Sequence, residues 1–286
     1  MCLRSHKQKR QGKTNVVGHS FMKLTFLKAP TLLALMISTL AAKPIKPQDI
    51  IIVEITSQDV GVRLKSVEEY DTNRLVRHAF RTASAEFLRR AQGKSKFILI
   101  DMWYPDLLEM PSDESLLAAL KLSPRITFAS GGPHNQRFEK SLSHFAEAIP
   151  EMGHILLNAE DPSVFFFFPT LCTEDSDWPA NKHPCPVKFQ QKHIALLAAE
   201  KYLGIELSFE PGSIFWVPRN EFKRFHRITY SSFKKNPKVI DNKLVILISK
   251  PFPHTDMFDI PGRGRISGSE ILAMMIVFYS QDLSAK

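Results

Sequence analysis

Acidic residues and glycines lie at the end of, or in the loop after, three apolar runs of the sequence, where an open α/β sheet would bind a ligand. These residues are Asp101, Gly131, Gly132, Asp256 and Asp259. Carboxylates gathered at one end of a sheet can hold a cation, act as acid and base, or accept hydrogen bonds from loop backbone. The paired glycines permit close approach of backbone to a ligand, although a turn between strand and helix needs them equally. All five are candidate ligand-binding residues.

A second group of glycines precedes an apolar helix in PGRGRISGSE, residues 261–270. Arg263 and Arg265 lie in this stretch, and the N-terminus of a helix can bind an anion through its free N–H groups. Ser267 and Glu270 have the spacing of a capping box, which explains both residues without a ligand. We favour the cap, and keep Arg263 and Arg265 as candidate ligand-binding residues.

Catalytic motifs are absent from the sequence, which has no G-x-S-x-G, Walker or HExxH pattern. The chain is therefore expected not to be an enzyme and to need no cofactor or metal. The alternative is an exported α/β hydrolase, in which Asp101 and Asp256 would act with His254 or His134 if the fold brought them within hydrogen-bond reach. His193, on an apolar helix, is expected to be a packed residue.

Four apolar runs rich in β-branched residues predict strands buried on both faces. They are Asp49–Ile55, Lys96–Met102, Arg125–Ser130 and Lys243–Ser249. Two predicted helices separate the first three of these strands. One has helical spacing over residues 73–91, and the other is capped by Ser112 and extends through Leu122. Because parallel strands need crossovers of this length, the pattern predicts βαβαβ. The fold class is α/β, a mostly parallel sheet with helices on both faces.

The middle of the chain predicts an irregular hairpin region. GHILLN (residues 153–158) and SVFFFFPT (residues 163–170) have strand character and are joined by a turn. QKHIALLAAEKYLG predicts a helix that ends at Gly204.

Charge is concentrated at the start of the chain. The formal net charge is +9, yet residues 1–47 contain nine Lys or Arg and no acidic residue, which leaves 29 basic and 29 acidic residues in the body. A body without net positive charge does not attract a polyanion electrostatically, so we expect no nucleic-acid partner.

The basic leader has the pattern of an export signal. Residues 29–42, APTLLALMISTLAA, have the length of a secretory apolar region, are preceded by basic residues and end in small residues. The start is Met1 or Met22, and the segment is a cleaved signal peptide, an uncleaved anchor or a buried helix. If the chain is exported to an oxidising compartment, Cys172 and Cys185 are expected to form a disulfide. Free thiols and a metal site are the alternatives.

The order of these motifs resembles the type 2 CHASE domain, an extracytoplasmic sensory domain of cyclases and histidine kinases. The resemblance rests on DIIIVEITSQD, on GHILLNAEDPSVFFFFP and above all on DMFDIPGRGRISGSEILAMMI. Asp256 and Pro261 keep the five-residue offset of the family, and the helix start matches at Gly268, Glu270, Ile271 and Ala273. Ser249 replaces the glycine with which the family ends its last strand.

The resemblance implies a non-catalytic sensory domain over residues 48–286 that serves signal transduction. It also implies a periplasmic or other extracytoplasmic location, secreted or anchored by residues 29–42. Nothing in the sequence after this region resembles an output domain, so we expect the partner to be a small ligand or a separately encoded signalling protein.

Overall fold

The structure is a computed structural model, and its description covers part of the chain. The described residues are 43–102, 107–123, 125–130, 145, 148, 152–154, 157–158, 164–167, 170–172, 190–206, 215–218, 225–253, 257–260 and 264–282. They all belong to one compact unit, Ala42–Lys286. Residues 1–42 of the leader lie outside the described residues, as do the candidates Gly131, Gly132, Asp256, Arg263 and Cys185.

Strands and helices alternate through most of the described chain. The strands are β1 (Ile50–Thr56), β2 (Phe97–Asp101), β3 (Ile126–Ser130), β4 (Met152–His154), β5 (Leu157–Asn158), β6 (Val164–Phe167), β7 (Thr170–Cys172), β8 (Gln190–Lys192), β9 (Phe215–Pro218), β10 (His226–Thr229), β11 (Leu244–Lys250), β12 (Met257–Ile260) and β13 (Gly264–Ser267). The α-helices are α1 (Val67–Thr72), α2 (Arg74–Ala91), α3 (Pro111–Lys121), α4 (Ile194–Leu203), α5 (Tyr230–Lys235) and α6 (Gly268–Asp282). Short 3-10 helices span Pro47–Asp49 and Pro237–Ile240.

Six strands form one parallel sheet, which confirms the predicted α/β class. Their order is β10-β1-β11-β2-β3-β4, and every neighbouring pair is parallel. All four predicted apolar runs lie in this sheet as β1, β2, β3 and β11. The late strand β11 is inserted between β1 and β2, so these two strands pair with it and not with each other.

Helices cover both faces of the sheet, as the uninterrupted apolar runs predict. Alternate residues of β1 and β11, such as Ile52 and Ile246, point to face A, where α4 and α6 pack. The residues between them, such as Val53 and Leu247, point to face B, where α2, α3 and α5 pack. Because side chains of a strand alternate between its two sides, one apolar run supplies both core layers.

Helix starts follow local capping chemistry, with one correction to the sequence-based prediction. Asn73 begins α2 by accepting hydrogen bonds from the backbone N–H groups of Leu75 and Val76. The prediction that Ser112 caps the next helix is wrong, because Met110 occupies the cap position, α3 begins at Pro111 and Ser112 is buried within its first turn. Proline suits that first position because the N–H it lacks would have no helical partner.

Smaller sheets surround the main one. β5, β6 and β9 form an antiparallel sheet, in which β5 pairs with β6 as expected from GHILLN and SVFFFFPT. The prediction of GHILLN as a single strand is wrong, because its first two residues belong to β4 of the main parallel sheet. The segment after β11 forms an antiparallel pair, β12 with β13, before α6 begins. Over the described part of the chain, no helix has both the length and the apolar character to cross a bilayer.

Candidate functional site

The topology places a switch point at the carboxyl ends of the central strands. The chain leaves β1 and β2 toward the helices of face B, whereas it leaves β11 toward α6 on face A. Open α/β sheets bind ligands where adjacent strands are followed by connections to opposite faces, because the departing chains diverge and leave a gap. Here that condition holds on both sides of β11. We call the region formed by the ends of β1, β11 and β2 the β11 crevice.

Strand register places charged residues on the face A side of this crevice. Thr56 is paired with Lys250, and Ile248 is paired with Asp101. Because alternate residues share a face, Glu54, Lys250 and Asp101 lie on the same side as the face A core. Asp101, a candidate from the sequence, therefore ends β2 at the crevice.

A chain of ion pairs continues from the crevice to the start of α6. Lys250 Nζ lies 3.4 Å from Glu54 Oε1, and Arg227 Nε donates to the same oxygen at 3.1 Å. Arg227 Nη2 also bonds Glu54, and Arg227 Nη1 donates to Glu270 Oε2 at 2.9 Å. We call Glu54, Arg227, Lys250 and Glu270 the charge cluster. Its side chains are 12% to 25% exposed, so these pairs are poorly screened by solvent.

Glu270 has two functions at the start of α6. Its carboxylate accepts the backbone N–H of Ser267 at 3.1 Å, while Ser267 Oγ accepts the Glu270 N–H at 3.4 Å. This confirms the capping box expected from the sequence. The same carboxylate oxygen accepts from Arg227, so the first turn of α6 is held both by its own cap and by the charge cluster.

Helix α1 contacts the end of β11 on the face B side of the sheet. The phenol of Tyr70 lies 3.0 Å from the Ser249 hydroxyl at the end of β11, and its ring meets Phe80 edge-on. Burial raises the pKa of Tyr70, so the phenol is protonated at neutral pH and available as a donor. Ser249 at the end of β11 therefore has a hydrogen-bond partner on α1.

A carboxylate fixes the turn that follows β1. Asp59 Oδ2 accepts from the Thr56 N–H and hydroxyl at 2.9 and 2.8 Å, and its other oxygen accepts from Ser231. Burial alone would raise the pKa of Asp59, but the hydrogen bonds from Ser231 and Thr56 outweigh it and lower the pKa. Asp59 thus ties the end of β1 to the first turn of α5.

A buried ion pair supports the loop that follows β2. Arg81 on α2 donates to Asp113 on α3, and both side chains are at most 5% exposed. Asp113 also accepts the Leu108 N–H at 2.8 Å, and Arg74 donates to the Leu108 carbonyl. These contacts hold Leu108 near the entry to α3.

The remaining candidates from the sequence lie elsewhere or outside the description. Asp259 and Arg265 face each other across β12 and β13 at 3.5 Å, with side chains 87% and 52% exposed. Cys172 ends β7, while its expected partner Cys185 is not described, so the disulfide stays a prediction. His254 and His134 of the hydrolase hypothesis are likewise not described. Among the described residues, no group of His, Cys, Asp and Glu could hold a metal ion.

His193 is a packed residue, as expected. It is fully buried, and its Nδ1 accepts the Ala195 N–H at 3.1 Å, which caps α4.

Sequence reasoning missed Arg227, Lys250 and Glu54, although one signal was available. Glu54 is the single charged residue in the strand IIIVEIT. A charge inside an otherwise buried strand must be paired, because desolvating it alone is too costly. That argument predicts a cationic partner for Glu54, though it does not identify Arg227.

Comparison with known proteins adds no relative. Neither a family model, nor a curated protein, nor a solved structure matches this chain. The fold therefore defines the class on its own: a three-layer α/β protein with a central parallel sheet and a topological switch point at the carboxyl ends of its middle strands.

Proposed function

We propose that this chain is an exported, non-catalytic sensory domain that binds a small ligand in the β11 crevice. The observation that carries the proposal is the topology around β11, whose following segment departs to the opposite face from those of both neighbouring strands. The resemblance to type 2 CHASE domains supports the sensory role. The basic leader with its apolar run supports export.

The chemistry at the crevice favours recognition over catalysis. Each carboxylate of the charge cluster accepts a hydrogen bond from Arg227, and Glu54 is also in contact with Lys250. Carboxylates held in this way are fixed electrostatic groups, suited to orienting a polar ligand by charge and hydrogen bonding. The signal would then pass to a separately encoded signalling protein.

A thermal-shift screen of the full-length chain against metabolites and ions tests ligand binding. A compound that binds only the folded form stabilises it by mass action and so raises the unfolding midpoint. At a compound concentration of one hundred times the dissociation constant, the free energy of unfolding increases by about 2.7 kcal/mol. Asp101→Asn should abolish the shift, because it removes a charge at the crevice. Asp259→Asn is the matched control, because that carboxylate lies on the exposed β12–β13 pair.

Two results would contradict the proposal. A compound that shifts the Asp101→Asn variant as much as the wild type binds outside the crevice. Turnover of an ester or amide substrate that Asp101→Asn abolishes would instead support the exported hydrolase.

A further inference from the structure

Helix α6 extends from the charge cluster to the segment Lys43–Asp49. Its first turn contains Glu270, and Ser280 lies ten residues further on, about 15 Å along the helix axis. Ser280 Oγ accepts the Ile45 N–H at 2.9 Å and donates to the Val277 carbonyl at 2.7 Å. Ile45 is itself 1% exposed and packs in the same core layer as α6.

The surroundings of α6 favour movement as one body. All residues from Ile271 to Ser280 are buried except Phe278, which is partly buried. A helix that is apolar around its whole circumference packs against neighbours on every side. Because close-packed interiors transmit strain instead of absorbing it, a displacement of the first turn should reach the last turn.

An unbroken series of polar contacts joins the crevice to this helix. Lys250 at the end of β11 contacts Glu54, Glu54 binds Arg227, and Arg227 binds Glu270. A ligand that draws Lys250 or Glu54 toward itself therefore changes the pairing of Arg227. That change reaches Glu270 and the first turn of α6.

We propose that α6 is a conformational link, by which the state of the charge cluster controls the attachment of segment Lys43–Asp49. The Arg227–Glu270 ion pair holds one end of the helix, and the Ile45–Ser280 hydrogen bond holds the other. The regulatory meaning of the link rests on the proposed ligand site. The link itself exists without ligand, and linkage requires that it act in both directions.

Hydrogen exchange of the unliganded, full-length chain tests the link. Glu270→Gln removes the charge that pairs with Arg227 and keeps an amide oxygen for the capping box. We expect the Ile45 amide to exchange about tenfold faster, which corresponds to roughly 1.4 kcal/mol of lost stabilisation. Glu206→Gln is the matched control: Glu206 is 87% exposed, lies 3.4 Å from Lys192 and does not belong to the charge cluster. It should leave the Ile45 amide within about twofold of the wild type.

Amides of α2 between Ala83 and Leu88 report global unfolding in the same experiment, because they lie in the face B core. Acceleration at Ile45 that exceeds the acceleration at these amides supports the link. Equal acceleration at both places, or no change at Ile45, overturns it.

A double-mutant cycle tests the reverse direction. Ser280→Ala removes the hydrogen bond to Ile45. If this site and Glu270 are independent, the change in unfolding constant of the double mutant equals the product of the two single-mutant changes, to within about twofold. If α6 links the two sites, Ser280→Ala should change the unfolding constant by a factor more than about twofold smaller when Glu270→Gln is already present. Independent effects overturn the link. Neither measurement needs a ligand. A failed ligand screen would therefore contradict the proposed function only, whereas these two measurements test the link separately.

Discussion

Asp59 shows how a single carboxylate can hold two elements together. It accepts four hydrogen bonds, two from Thr56 and two from Ser231, and so joins the turn after β1 to α5. Hydrogen bonds to a charged group contribute about 1.5 to 3 kcal/mol, whereas an exposed surface carboxylate contributes little. The side chain is therefore structural, despite its place near the crevice.

Asp59→Asn should lower the free energy of unfolding by about 1 to 3 kcal/mol, because the amide group would place its own donors against donors of Ser231 or Thr56. The effect should depend on pH. The folded pKa of Asp59 is lowered from 3.8, so its stabilisation is present above that value and is lost as pH falls through the folded pKa. Urea unfolding of both proteins should thus show a constant difference above about pH 5 that shrinks toward acid. A difference that grows as pH falls would contradict this assignment.

The buried Arg81–Asp113 pair leads to a second prediction at this scale. Asp113→Ala leaves the arginine charge inside the protein without its carboxylate, which costs about 3 to 5 kcal/mol. Asp71→Ala, at an exposed position on α1, is the control and should change stability by no more than about 0.5 kcal/mol. Chemical denaturation measures both variants, and similar values for the two would show that the pair is not stabilising.

At the scale of elements, α4 lies unusually close to β4. A Cβ atom added to Gly153 would lie 2.6 Å from both the backbone nitrogen and the Cα of Ile194. Contacts of this kind with backbone cannot be relieved by a rotamer change. The glycine therefore permits the first turn of α4 to pack against the edge strand of the sheet.

Gly153→Ala should accordingly destabilise the protein by about 3 kcal/mol or more, the upper end of overpacking costs. Gly93→Ala is the control, because its Cβ would meet open space and only its φ of +72° opposes the change, at about 1 to 2 kcal/mol. Thermal unfolding compares the two, and hydrogen exchange should place the extra loss of protection in α4. Unchanged exchange in α4 would contradict the close approach.

Sequence alone predicted most elements of the sheet but not its strand order. Apolar β-branched runs such as those of β1 and β11 indicate burial on both faces, yet they carry no information on which strand lies next to which. The insertion of β11 between β1 and β2 depends on contacts between distant parts of the chain. For the site, the same limit applies: Asp101 and the Ser267–Glu270 cap follow local rules, whereas Arg227 meets Glu54 only through the pairing of β10 with β1.

At the scale of the whole molecule, the charge distribution separates a basic leader from a neutral body. We predict that a reporter fused after residue 286 is active only outside the cytoplasm, because basic residues followed by an apolar run direct export. Two reporters fused at this position measure the location: one is active only in an oxidising compartment and the other only in a reducing one. A fusion from which residues 1–47 have been removed is the control. Cytoplasmic activity of the full-length fusion would contradict the predicted location.

The insertion of β11 also governs when the protein can fold. Ile50 pairs with Leu244, and Phe97 pairs with the same residue from the other side, so neither flanking strand can complete its ladder during most of synthesis. At usual elongation rates the wait between these segments is on the order of ten seconds or more. Throughout that interval, apolar strand edges stand open to aggregation. The nascent chain should therefore depend on a holding chaperone until β11 has been synthesised.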